Sequence, residues 1–275
     1  MAAGRLSGRG AIVTGAARGI GLGIARRLSA EGARVLAVDV LADTLEEARE
    51  NAPETERPAA LLAIDLLAPG AADTVLTSAR SALGGDIDIL VNNAGVGISG
   101  TIEEFSDEQW DRTIAINLTV PFRLARAIVP VMAARGYGRV LNISSMNGQI
   151  GMRGDACYSA SKAGIEALTR SIAADYGRAG VTANAIAPGT IVTPLNRDIL
   201  GSLDDRAPMM RIVVHNKPVP GNGEVADIAA AAVFLVSEEA KFVSAQCLAV
   251  DGGLCGTRYV PEDPGVAASR YLPKN

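Results

Sequence analysis

Tyr158 and Lys162 stand four residues apart in the stretch Cys157-Tyr-Ser-Ala-Ser-Lys-Ala-Gly164. On a helix that spacing stacks both side chains on one face, so a phenol and an ammonium enter the same space and can handle a proton together. A free tyrosine ionises near pH 10. Bringing it to about 7 takes roughly 4 kcal/mol of preferential stabilisation of the phenolate, which one cation about 4 Å away at an effective dielectric of about 20 can supply. The chain carries four lysines against twenty-two arginines. A lysine here therefore has a reason: it is a compact charge with three rotatable donors, suited to a group that serves two partners at once.

A second constellation is Thr14-Gly-Ala-Ala-Arg-Gly-Ile-Gly21, which runs directly into an amphipathic pattern. Glycines at a strand-to-helix junction let the backbone turn sharply and approach a diphosphate, which then sits at the positive end of the helix. Asp39 follows eighteen residues after Gly21, at the end of the next apolar run. An acid there can accept hydrogen bonds from the adenosine ribose hydroxyls and would repel a 2′-phosphate. Val40 brings no compensating cation, so the expected cofactor is NAD, not NADP. Arg18, in the phosphate region, argues the other way and is outweighed.

The elements that must position these residues follow a regular order. Short β-rich runs at 11–14, 33–38, 60–64, 87–91, 139–143, 181–186 and 246–250 alternate with helical patterns. The helical patterns lie at 20–31, 44–51, 71–83, 107–134, around Tyr158 and Lys162, and at 225–236. Apolar strands alternating with helices predict an α/β fold, a doubly wound parallel sheet of Rossmann type in a single domain. Residues 1–255 are expected to form one dinucleotide-binding catalytic domain. Within it, 193–223 carries several prolines with Met209 and Met210 and reads as a substrate loop. Residues 256–275 read as a C-terminal tail that packs across a subunit surface or frays.

Composition narrows the classes. With 275 residues, 48% of them hydrophobic, the chain can bury a substantial core. A net charge of −4 and a pI near 5.2 leave no basic footprint for nucleic acid. Cys157, Cys247 and Cys255 are odd in number and lack metal-ligand spacing, which predicts no metal site and a reducing compartment. Each reads as a small apolar filler. Residues 1–10 contain basic residues with no apolar core after them, unlike a signal peptide. The apolar run 228–236 has nine residues, too few to span a bilayer. The expectation is a cytoplasmic protein with no membrane and no nucleic-acid partner.

Further motifs follow in order: Asn92-Asn-Ala-Gly95, Asn117 within Ile-Asn-Leu, Asn142-Ile-Ser-Ser145, and Pro188-Gly-Thr-Ile-Val-Thr193. With the glycine turn and the tyrosine–lysine pair, they resemble the short-chain dehydrogenase/reductase family from about Leu6 to Gly253, in its TGxxxGxG form. The resemblance implies that Tyr158 is the general acid/base, and that Lys162 holds the nicotinamide ribose hydroxyls and lowers the tyrosine's pKa. It implies that Ser145, thirteen residues before Tyr158, hydrogen-bonds the substrate oxygen in preference to Ser144, and that Asn117 anchors a proton-relay water. For the cofactor it implies Gly15, Arg18, Gly19, Ile20 and Gly21 at the diphosphate, with Asp39 at the ribose and Asp65 and Leu66 near the adenine. Asn93 and Gly95 would lie along the adenosine side and Ile191 and Thr193 at the carboxamide, with Pro188 and Gly189 also binding the cofactor. Two features depart from the family's pattern. Ser244-Ala245 stands where Thr-Gly is usual, and the tail is longer than in many members; both lie near the surfaces used for assembly, where a homotetramer or homodimer is implied.

Substrate identity is expected in 96–100, 146–156 and 193–223. These segments offer Met146, Gln149, Ile150, Met152, Met209, Met210 and His215 beside Arg153, Arg197, Arg206 and Arg211. Methionines suit an adaptable apolar pocket, whereas an inward arginine would suit an acidic substrate. The leading expectation is an NAD-dependent oxidoreductase acting on a small-molecule secondary alcohol or ketone. A sugar or polyol dehydrogenase is the alternative within the family, and a non-catalytic NAD(H)-sensing binding protein the alternative of another class.

Overall fold

The computed structural model describes residues 4–193 and 217–257. The strands are β1 (Gly10–Thr14), β2 (Arg34–Asp39), β3 (Ala60–Ala63), β4 (Ile89–Asn92), β5 (Gly138–Ile143), β6 (Val181–Pro188), β7 (Ile191–Val192), β8 (Gly223–Glu224) and β9 (Cys247–Val250). Seven of them form one parallel sheet in the order β3-β2-β1-β4-β5-β6-β9. The helices are α1 (Gly19–Ala30), α2 (Ala42–Glu50), α3 (Ala71–Ala82), α4 (Asp107–Ile114), α5 (Val120–Ala134), α6 (Ala156–Tyr176) and α7 (Val225–Val236).

Alternation along the strands assigns the two faces. Val13, Val35, Val91 and Leu141 pack with Ile24 and Leu28 of α1, Leu45 of α2, and Ile228 and Val233 of α7. Ile12, Leu36, Leu90 and Val140 turn the other way, onto Val75 of α3, Leu124 and Ile128 of α5, and Ile172 of α6. A parallel strand buried on both faces must be apolar throughout, which is why these strands read as continuous apolar runs. Each fully buried Leu or Ile in them contributes about 2 kcal/mol of transfer free energy. The doubly wound α/β fold expected from the sequence is the one observed.

From β1 the chain moves outward through β2 to β3, then returns to the opposite side of β1 as β4. That reversal opens a crevice at the carboxyl ends of β1 and β4, where doubly wound sheets bind ligands.

Two local features depart from the expectation. The 107–134 pattern is interrupted by a π-helical turn, Ala115–Thr119, with the Val120 N–H bonded to the Ala115 carbonyl. In an α-helix the Asn117 carbonyl would accept from position 121, but Pro121 has no N–H. By length and composition the run Asp107–Ala134 could cross a membrane, yet Leu124, Ile128, Val129 and Met132 are buried in the core. The second feature is the pairing of β7 with β8, Ile191 beside Gly223 and Val192 beside Glu224. It brings together the two ends of the expected substrate loop, most of which, with Met209, Met210, His215, Arg197, Arg206 and Arg211, lies outside the described residues. So does nearly all of the expected tail.

Candidate active site

The turn after β1 is shaped by close approach. Gly15 has φ +64, and a Cβ there would lie 2.8 Å from Ala94 Cα and Asn93 Nδ2. A Cβ on Gly21 would lie 2.0 Å from the Gly15 carbonyl oxygen. Thr14 and Asn93 tie the turn to β4: Thr14 Oγ1 accepts from the Asn93 and Ala94 N–H groups at 3.0 and 3.1 Å. Asn93 Nδ2 in turn donates to the Thr14 and Gly15 carbonyls at 3.0 and 3.1 Å. At the start of α1, Arg18 has extended backbone, is exposed and provides no side-chain cap. Arg18 thus leaves the first N–H groups of the helix without a cap from its own side chain, an arrangement that fits a diphosphate.

Asp39 closes this end. Its Oδ2 accepts from the Ala17 N–H at 3.0 Å, and its Oδ1 from the Val40 and Leu41 N–H groups at 2.8 and 3.1 Å. The carboxylate therefore braces the glycine turn against β2. Asp65 is exposed and accepts from the Leu67 N–H at 2.9 Å, with Leu66 half-buried beside it. On the far side, a Cβ on Gly19 would lie 3.6 Å from Thr193 Cγ2, so the segment after β6 reaches the glycine turn. Gly189 packs on Asp251, where a Cβ would meet its Cα at 2.7 Å, and Ile191 is buried.

At the end of β5 the two serines separate. Ser144 Oγ points into α6, 2.8 Å from Glu166 Oε1 and 3.2 Å from the Lys162 carbonyl oxygen. Ser145 Oγ instead accepts from the Asn147 N–H at 3.2 Å and lies beside the Tyr158 phenol. One turn along α6, Lys162 is buried, and its Nζ lies 5.5 Å from the Tyr158 ring centroid. A Cβ on Gly95 would be 3.1 Å from Asn117 Oδ1 and 3.6 Å from Lys162 Nζ. Ser145, Tyr158, Lys162, Asn117 and Gly95, scattered along the chain, thus converge.

Burial dominates the electrostatics. It pushes the Tyr158 phenol above its ordinary value; the Ser145 hydroxyl pulls it down and the Asp155 carboxylate adds to the rise. Burial pushes Lys162 down to about 8. The expected lowering of the tyrosine by the lysine is not produced by the folded chain alone. Lys162 donates to the Ile143 carbonyl at 2.8 Å, and desolvation opposes the charged form of both groups.

The family described as Enoyl-(Acyl carrier protein) reductase matches residues 15–255. The 3-oxoacyl-(acyl-carrier-protein) reductase FabG of Escherichia coli is 35% identical over 247 residues, covering 90% of this chain and 97% of that one. Gluconate 5-dehydrogenase of Gluconobacter oxydans is 34% identical over 250 residues, covering 90% and 95%. A solved gluconate 5-dehydrogenase from Burkholderia cenocepacia, in complex with NADP and tartrate, superposes with a TM-score of 0.84 at 33% identity, covering 92% and 97% of the two chains. The chain belongs to the short-chain dehydrogenase/reductase family. It is an oxidoreductase.

Several details of this short-chain dehydrogenase/reductase were not read from its sequence. Asn92 and Asn142 form a buried chain behind the site, Asn92 Nδ2 donating to Asn142 Oδ1 and Asn142 Nδ2 to Thr169 Oγ1, both at 2.8 Å. The side chain of Asn117 is fully engaged as a donor, to the Val96 carbonyl at 2.9 Å and Ser161 Oγ at 3.0 Å, while Oδ1 accepts from the Val96 N–H at 2.8 Å. Gln149 Nε2 donates to Cys247 Sγ at 3.1 Å, linking the turn after β5 to β9. The Pro121 spacing was the available signal for the π turn; no local signal marked the Gln149 contact.

Proposed function

We propose that the protein is an NAD-dependent oxidoreductase interconverting a secondary alcohol and a ketone. The observation that carries this reading is the convergence of Ser145, Tyr158 and Lys162 at the carboxyl end of the sheet, on the side where the glycine turn leads into α1. In alcohol oxidation Tyr158 takes the hydroxyl proton; in ketone reduction it returns a proton to the carbonyl oxygen. Ser145 orients that oxygen, and Lys162 provides a cation within one helical turn. Bound nicotinamide supplies the hydride acceptor or donor. The glycine turn, Asp39, Asp65, Leu66, Asn93, Pro188, Gly189, Ile191 and Thr193 would hold the dinucleotide. Because the donors of the Asn117 side chain are engaged by protein, its carbonyl, opposite Pro121, is the better atom to order a relay water.

The choice of NAD rests on Asp39, whose carboxylate sits at the tip of β2, and on the absence of a cation at Val40. A solved relative holds NADP, which makes NADP the rival cofactor in the test. The gluconate 5-dehydrogenases among the relatives favour a second reading, a sugar or polyol substrate. Cofactor absorbance followed over alcohols, ketones, aldoses and polyols with NAD and NADP tests these readings. Turnover with NAD supports the proposal, preference for NADP overturns the cofactor choice, and tight NAD binding without turnover would point to a sensor.

A further inference from the structure

Asp155 occupies the position before α6, where an aspartate ordinarily accepts hydrogen bonds from the first N–H groups of the helix. It makes no such cap. Its carboxylate turns outward to two other loops: Oδ2 accepts from Asn147 Nδ2 at 2.7 Å and Oδ1 from Ser99 Oγ at 3.1 Å. The backbone repeats the link, with the Gly100 N–H donating to the Gly154 carbonyl at 2.8 Å and Gly100 bridging Asp155 as an isolated parallel pair. Ser99 belongs to the loop after β4, Asn147 to the turn after β5, and Asp155 leads directly into the helix of Tyr158. Asn147 is also the residue whose N–H donates to Ser145 Oγ. It is buried, and its Oδ1 has no partner among the described residues, so the bond to Asp155 is the hydrogen bond its side-chain amide makes there.

We infer that Asp155 is a positioning residue that clamps three loops and thereby fixes Ser145 against Tyr158, while presenting a negative charge to the phenol. The inference rests on the proposed alcohol–ketone reading for its kinetic consequence, but the clamp itself does not depend on turnover. The charged groups that the described residues bring to Tyr158 are Asp155, from the turn before its helix, and Lys162, one turn along it. Ser145, two residues past β5, is uncharged, and Gly97 from the β4 loop carries no side chain, a Cβ there standing 3.7 Å from Tyr158 Cδ2. Removing the Asp155 charge therefore favours the phenolate.

The test compares Asp155→Ala, Asp155→Asn and Ser99→Ala with the parent chain, measuring alcohol oxidation against pH, NAD affinity, and amide hydrogen exchange at 97–101 and 146–149. Asp155→Ala should lower kcat roughly tenfold or more through misplacement of Ser145, at unchanged NAD affinity, with faster exchange in both segments. Asp155→Asn keeps an acceptor for Asn147 and a partner for Ser99. It should recover part of the lost kcat while moving the rising limb of the oxidation profile to lower pH. Ser99→Ala removes one arm and should speed exchange mainly at 97–101, which keeps the clamp testable if Asp155→Ala folds poorly. Parental kcat and parental exchange in Asp155→Ala, or an unmoved pH limb in Asp155→Asn, would overturn the inference. If the parent turns over no alcohol while exchange responds as stated, the functional reading fails and the clamp stands.

Discussion

Lys162 Nζ donates to the carbonyl oxygen of Ile143, the last residue of β5, at 2.8 Å. The bond ties the ammonium to the strand that delivers Ser145, but it does not compensate for burial, which pushes Lys162 from 10.5 down to about 8. Below pH 8 the folded and unfolded states both hold the proton, and the fold bears the cost of the buried charge. Between about 8 and 10.5 the folded state has released its proton while the unfolded state still binds it, so stability rises with pH. Tyr158, with its raised value, acts oppositely above about 10. Urea unfolding of the cofactor-free chain and of Lys162→Met isolates the lysine. The parent should gain roughly 2 kcal/mol on the variant between pH 7 and pH 10, and parallel stability curves would refute this account of Lys162.

Tyr158→Phe removes only the phenolic oxygen beside Ser145. Turnover should fall by about two orders of magnitude or more, the usual contribution of a positioned acid/base, with NAD affinity nearly unchanged. Near-parental rates would sink the mechanism.

Asp39 has a double task in the proposed reading: its carboxylate braces the Ala17, Val40 and Leu41 N–H groups, and it would select NAD at the ribose. Asp39→Asn, which keeps one acceptor, should narrow the preference for NAD over NADP with a small loss of stability. Asp39→Ala should narrow it equally and lower unfolding free energy by a further 1–3 kcal/mol or so, the cost of orphaned donors. Binding of both dinucleotides and chemical unfolding of each variant measure the two effects separately; an unchanged preference in Asp39→Asn would remove the charge argument.

Ala245 has φ +62, the left-handed region, and is the one described residue other than glycine found there. The usual Thr-Gly of the family stands here as Ser244-Ala245, so the strain arises at a departure already visible in the sequence. A Cβ in that conformation costs about 1–2 kcal/mol, partly offset by the greater freedom glycine has when unfolded. Ala245→Gly should therefore stabilise the fold by about 0.5–1 kcal/mol. Thermal unfolding decides the point, and a lower melting temperature would count against it.

What the sequence by itself determined is whatever depends on short-range spacing. The strand and helix patterns, the glycine turn from Gly15 to Gly21, and the stacking of Tyr158 over Lys162 all follow from periods of two and 3.6 residues and from the left-handed freedom of glycine. The separation of Ser144 from Ser145 follows from alternation at a strand end in the same way. Tertiary structure decided the rest, because those features depend on groups far apart in the chain. Asp155 could have capped its own helix, and only the arrival of Ser99 and Asn147 from two other loops draws its carboxylate away. The pairing of Ile191 with Gly223 closes the ends of a long segment by a contact that no local pattern encodes. The charge balance at Tyr158 and Lys162 belongs with these: helical spacing brings the two groups together, but how much water the packed chain removes from each is set by everything folded around them.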